Sequence, residues 1–193
     1  VFSSLSNYLC PMKKLILLCL LTHFIFPIGL KANSEVSEKQ TSNTNITCDY
    51  SVRVVKIVDG DTFIGLTNDR REVHFRLLGI DAPEKGQPFS EKSKEKLAEL
   101  IAGKFVRIKA QQKPDRYGRL IVWAYTPDGE DVSAEMLKAG LSWHFRKYDN
   151  SAIYSQLENE ARKNRFGIWS EANPVSPWDF RKNSNKRFLK RLR

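Results

Sequence analysis

Cysteine is scarce in this 193-residue chain: Cys10, Cys19 and Cys48 are its three examples. The first two fall in an N-terminal stretch that reads as removable, which leaves Cys48 alone and excludes an intrachain disulfide from the rest. Stability must then come from packing. Histidine is as sparse, with His23, His74 and His144 far apart in sequence, so there is no Cys/His cluster at zinc spacing. Any bound metal would have to be held by oxygen, and both later histidines read as structural or surface residues. There is no internal repeat and nothing resembling a base-reading helix or a zinc finger. Acid is missing from both ends of the chain, since residues 1–32 and the segment after Phe180 contain no Asp or Glu.

That last absence changes the meaning of the net charge of +10. The leader carries Lys13, Lys14 and Lys31, and the terminal run RKNSNKRFLKRLR carries seven more basic residues. Residues 33–180 hold 22 basic and 22 acidic side chains and sum to zero. A globally basic surface is therefore not what would draw the domain to a polyanion; a local cluster would have to do so.

Met12-Lys13-Lys14 opens a charged region, residues 15–30 are mostly apolar with Pro27 and Gly29 near the end, and Ala32 offers a small residue for cleavage. Residues 1–32 thus read as a leader with a signal peptide, its true start at Met12, and the protein as exported, secreted or periplasmic. The apolar run falls short of the ~20 residues of a spanning helix. Tethering by an uncleaved leader is the alternative. Residues 33–49, polar and poor in large apolar side chains, read as a disordered linker.

A folded domain is expected over residues 50–178, followed by a mobile basic tail over 179–193. The stretch SVRVVKIV alternates, TFIGL follows an Asp-Gly-Asp turn, and REVHFRLL alternates after the polar TNDR, which predicts three strands in an antiparallel meander. SEKSKEKLAELIAGK predicts a helix with Leu97, Leu100 and Ile101 inward and Gly103 as its stop. FVRIKA and RLIVWAY predict two further strands, and SAEMLKAG and SAIYSQLENEARKNR two further helices. This pattern points to an α+β fold, a five-stranded Greek-key barrel of the OB type with about three helices.

Chemistry concentrates in three short motifs. In FRLLGIDAPE, alternation puts Phe75 and Leu77 on the core face and Arg76 on the other, beside a turn that holds Asp81 and Glu84. In VDGDTF, Asp61 lies in a turn between strands. Carboxylates gathered without cations repel one another, and a hard divalent ion relieves this. DRYGR sets Arg116, Tyr117 and Arg119 around a glycine, a combination suited to phosphate oxygens and to stacking on a base. Solvated turns and a surface hairpin are the plain readings of each motif alone.

Together, in this order and at about this separation, the three motifs resemble staphylococcal nuclease and its thermonuclease relatives over roughly residues 52–170. The resemblance implies that Asp61, Asp81 and the backbone carbonyl of Ala82 hold Ca2+. It implies that Glu84 activates or positions the attacking water, and that Arg76 and Arg119 hold the phosphate and stabilise its added charge. Arg116 and Tyr117 would contact the terminal phosphate of the nucleotide. One departure is Arg146, which stands where the reference member has the first of two pocket tyrosines; Tyr148 matches the second, and an arginine plane can still stack on a base. The implied activity is low-specificity hydrolysis of DNA and RNA; a shallow barrel face with stacking aromatics suits unpaired bases, so single strands are the expected form bound, and a monomer is expected. The rival is a catalytically silent module of the same barrel that binds single-stranded nucleic acid.

Overall fold

The computed structural model describes residues 50–111 and 113–191, with side chains through residue 184. The leader and linker expectations, and with them the fate of the three cysteines, lie outside the described residues.

Three strands open the domain: β1 (Tyr50–Ile57), β2 (Thr62–Leu66) and β3 (Glu72–Leu77), each antiparallel to the one before. The two-residue β4 (Ile80–Asp81) follows, then helix α1 (Ser90–Ile101), β5 (Phe105–Ala110) and β6 (Leu120–Tyr125). Helix α2 (Val132–Lys138), the two-residue β7 (Trp143–His144), helix α3 (Ala152–Lys163), a short 3-10 turn (Gly167–Ser170) and helix α4 (Pro177–Arg191) complete it. Strands β1, β2, β3, β6 and β5 close into a barrel in that order, with β3 and β6 parallel and the other neighbours antiparallel. Strands β4 and β7 pair separately, Asp81 opposite Trp143.

The barrel closes because alternate residues of each strand are large and apolar. Val52, Val54, Phe63, Phe75, Leu77, Val106, Ile108, Val122 and Ala124 all turn inward and are buried. Phe63 and Phe75, register partners in adjacent strands, stack with ring centroids 5.2 Å apart. Helix α1 lays Leu97, Leu100 and Ile101 against this core, as its spacing predicts, and ends before Gly103, whose φ of 73° lies in the left-handed region. Asp131 caps α2 by accepting the amides of Ser133 and Ala134, and its other oxygen accepts the Tyr154 hydroxyl at 2.6 Å, joining α3 to the start of α2.

Among the described residues there are four α-helices, against the three expected, and the difference is α4. The segment expected as a mobile tail begins in a regular helix. Pro177 occupies the first helical turn, and Ser176 and Asp179 exchange hydrogen bonds ahead of it: the serine hydroxyl donates to the carboxylate at 2.7 Å and accepts the Asp179 amide at 3.3 Å. Trp178 anchors the helix, stacked on Phe145 at 5.3 Å and edge-on to Trp143 at 5.6 Å.

Candidate active site

The turn between β1 and β2 places Asp61 at the mouth of the barrel. Gly60 makes the close approach possible: a Cβ there would fall 1.9 Å from the Ser93 hydroxyl of α1 and 2.8 Å from the Ala82 side chain. Only glycine lets this turn lie against both. The Leu77 amide then donates to the Asp61 carbonyl at 2.8 Å, which fixes the end of β3 beside the turn. Gly79, with φ 77°, reverses the chain into β4 and delivers Asp81 to the same place.

Asp61 and Asp81 are buried, with 2% and 1% of their surface exposed. Asp61 accepts the Thr62 hydroxyl at 2.9 Å through one oxygen and the Ala82 amide at 2.8 Å through the other. Arg76 lies between the two acids, one terminal nitrogen 2.5 Å from Asp61 and the other 2.7 Å from Asp81. Register explains the encounter, since Arg76 is the β3 partner of Thr62 and so sits beside the Asp-Gly-Asp turn. Burial acts against the charge of Arg76, but the two carboxylates more than offset it and hold its pKa above the ordinary arginine value. Asp59, in the same turn, is pushed up to about 6 by burial first and by the Asp61 charge second.

DRYGR reaches this cluster through the parallel pairing of β3 with β6, Phe75 opposite Leu120. Asp115 organises the turn by accepting the amides of Tyr117 at 2.8 Å and Arg119 at 3.0 Å and the Arg119 Nε at 2.9 Å. Burial pushes its pKa up, but these bonds outweigh that and hold it below the ordinary aspartate value. Arg119 also donates to the Thr62 hydroxyl at 3.3 Å, and Thr62 donates to Asp61, so one chain of hydrogen bonds links the second arginine to the first acid. Arg116 and Arg119 both stack over the exposed Tyr117 ring, 4.8 and 5.3 Å from its centroid.

A known family now matches on independent grounds. The family model described as staphylococcal nuclease homologue covers residues 74–171. A protein named uncharacterized endonuclease from Escherichia coli O157:H7 is 41% identical over 136 residues, spanning 70% of this chain and 88% of that protein. The chain belongs to the staphylococcal nuclease family. Another uncharacterized endonuclease, from Haemophilus influenzae, is 39% identical over 130 residues, with 67% of this chain and 72% of that one covered. A protein named micrococcal nuclease from Shigella flexneri is 36% identical over 146 residues, covering 70% and 83%. The chain is accordingly a nuclease enzyme, and nucleic acid is its substrate class.

Within this nuclease, the remaining residues singled out from sequence fall around the acids to different degrees. Glu84 is partly exposed, its side chain 38% accessible, and its amide donates to the Gln87 side chain at 2.7 Å. Arg146 and Tyr148 lie on the loop after β7, whose Trp143 pairs with Asp81; Tyr148 is exposed and edge-on to Phe145 at 4.9 Å, while Arg146 turns to Glu158 at 3.5 Å. His144 is structural, buried between Asp149 at 2.9 Å and Ser155 at 3.1 Å.

Two features were not singled out from sequence. Arg76 was expected to face phosphate, whereas here both of its terminal nitrogens hold the acids. Arg181 of α4, beyond the family match, reaches back to Asp81 at 2.7 Å and also pairs with Glu84. No local signal in RKNSN marks that arginine, because the contact crosses about a hundred residues of sequence.

Proposed function

We propose that this nuclease is exported and hydrolyses the phosphodiester bonds of DNA and RNA with low sequence preference, using calcium, acting as a monomer and taking single strands in preference. The observation that carries the reading is the meeting of Asp61, Asp81, Arg76 and Arg119 at one mouth of the barrel. Among the described residues no group of three or more Asp, Glu, His or Cys side chains is placed to hold a metal ion. The donor set is still of the kind a hard cation takes: Asp61 and Asp81 are buried oxygen donors at one place, and calcium accepts a backbone carbonyl, such as that of Ala82, and water for the rest. When bound, calcium supplies positive charge that offsets phosphate repulsion and orients water.

The chain's own groups account for the other needs of the reaction. Hydrolysis forms a bond from water oxygen to phosphorus, breaks one phosphorus–oxygen ester bond and moves a proton from the water to the oxygen that leaves. Glu84, the most accessible acid of the cluster, accepts or positions that proton. Arg76 and Arg119 meet the anionic oxygens as charge builds, and a preorganised donor of this kind contributes ~3–4 kcal/mol, so loss of either slows turnover by at least ~100-fold. Tyr117, Tyr148, Arg116 and Arg146 provide exposed planar surfaces for unpaired bases.

The test is cleavage of plasmid and of single-stranded oligonucleotides in calcium, then in excess chelator. Cleavage that stops with chelator and returns on adding calcium supports the reading. Cleavage indifferent to chelator removes calcium from it.

A further inference from the structure

The C-terminal helix lies beyond the family match, yet it ends up on the acids at the centre of the site. Arg181 engages Asp81 through both oxygens, one terminal nitrogen 2.7 Å from Oδ2 and the other 3.3 Å from Oδ1. The second of these nitrogens also donates to Glu84. With Arg76 on Oδ1 as well, both Asp81 oxygens are engaged by guanidinium groups.

The helix is built to hold that contact. Trp178 and Arg181 are three residues apart and so share a helical face. The tryptophan ring lies flat on Phe145, and its neighbour Trp143 is the strand partner of Asp81. From the other side, Gln87 accepts the Glu84 amide and donates to the Val175 carbonyl at 3.1 Å, tying the acid loop to the segment that leads into the helix. Arg181 is 40% exposed, and its anchor Trp178 packs on Phe145 and on the second cluster around Trp143 and Trp169 rather than on the barrel core, so the arginine can leave without disturbing that core.

We propose that Arg181 is an intramolecular counter-ion that competes with the divalent cation for Asp81 and Glu84, so that helix α4 covers these acids and must withdraw its arginine for a cation to bind them. This rests on the reading of Asp61 and Asp81 as cation ligands. Electrostatics set the direction. Asp61, Asp81 and Glu84 carry three negative charges against two on Arg76 and Arg181. Removing Arg181 leaves the acids with a larger deficit of positive charge and relieves a dication of a like charge a few ångströms away.

Direct calcium binding to the full-length protein, measured by titration calorimetry, tests this without reference to activity. Arg181→Gln should bind calcium about ten-fold more tightly than wild type, a figure discounted for solvent screening at a partly exposed site. Trp178→Ala, which leaves every charge in place and loosens only the helix anchor, should shift affinity in the same direction by less. Lys182→Ala, with the same charge change one residue away, should leave it unaltered. Hydrogen exchange of the amides of residues 180–184 in wild type should accelerate on calcium saturation. Equal or weaker binding by Arg181→Gln, equal tightening by Lys182→Ala, or slower exchange with calcium would each overturn the competition and leave the cation site standing. If neither wild type nor any variant binds calcium, the cation site itself fails, and the competition falls with it.

Discussion

Arg76→Ala separates the structural role of this arginine from its expected catalytic one. The guanidinium is 16% exposed and touches two carboxylates that are 3% and 1% exposed, so its removal strands buried negative charge. Breaking a buried pair by deleting one partner costs about 3–5 kcal/mol. Both contacts belong to one arginine, so the cost is counted once, and Arg181 still serves Asp81, which makes Asp61 the main orphan. For a domain of this size 1 kcal/mol moves the melting temperature by roughly 3–4 °C, which gives a drop of about 9–20 °C in chelator. Thermal unfolding followed by circular dichroism measures it. Adding Asp61→Asn to Arg76→Ala should recover part of the loss, because the orphaned charge is gone. Calcium should raise the melting temperature of Arg76→Ala more than that of wild type, since the acids no longer have their arginine. Arg76→Lys should recover some stability and little turnover, because an ammonium cannot span two acids or present two parallel donors. A drop below ~3 °C in Arg76→Ala, with no rescue by Asp61→Asn, would falsify the buried-charge account.

Two further predictions concern the surface proposed to meet substrate. The Asp115 carboxylate, held below the ordinary aspartate value, contributes stability to its turn that is complete above pH 3.8 and lost as pH falls through its lowered folded value. The amide shifts of Tyr117 and Arg119, followed by NMR through acid titration, should therefore change with a midpoint under 3.8; a midpoint at or above it refutes the turn's dependence on the charged form. Truncation after Ser184 removes Lys186, Arg187, Lys190, Arg191 and Arg193 while keeping Arg181. It should raise KM for single-stranded DNA at low salt far more than it lowers kcat, and make KM less sensitive to salt; an unchanged salt dependence counts against a role for the basic end in holding nucleic acid.

The barrel was legible because its signals are local. TFIGL is β2 residue for residue, and Leu97, Leu100 and Ile101 are the buried stripe of α1. Asp61, Asp81 and Arg76 could be singled out as charged residues at strand ends, where side chains of a half-buried pattern emerge. Helix α4 had a readable start that its composition obscured: Ser176, Pro177 and Asp179 form a capping sequence, but the basic run beyond it looks like a solvated tail. Arg181 had no such sign. Its position follows from the stacking of Trp178 on Phe145, a contact between segments that no periodicity connects.

The same distinction explains why Arg76 points where the sequence did not put it. Reading the residues one by one assigns the arginine to phosphate and the aspartates to a cation, which describes a site with its ligands present. Two buried carboxylates need compensation, and the nearest cations of the chain supply it. The ion pairs are therefore the alternative partners of the groups that would hold substrate and metal. If the acids take calcium and the arginines take phosphate as proposed, binding is an exchange in which a dication replaces guanidinium at the acids and phosphate replaces carboxylate at the arginines. On this account metal and substrate favour each other's binding, because each frees the groups the other needs, and the coupling is reciprocal. A non-hydrolysable dinucleotide should tighten calcium binding, and calcium should tighten the dinucleotide by the same factor. Independent affinities in titration calorimetry would show that Arg76 keeps its carboxylates in the loaded state.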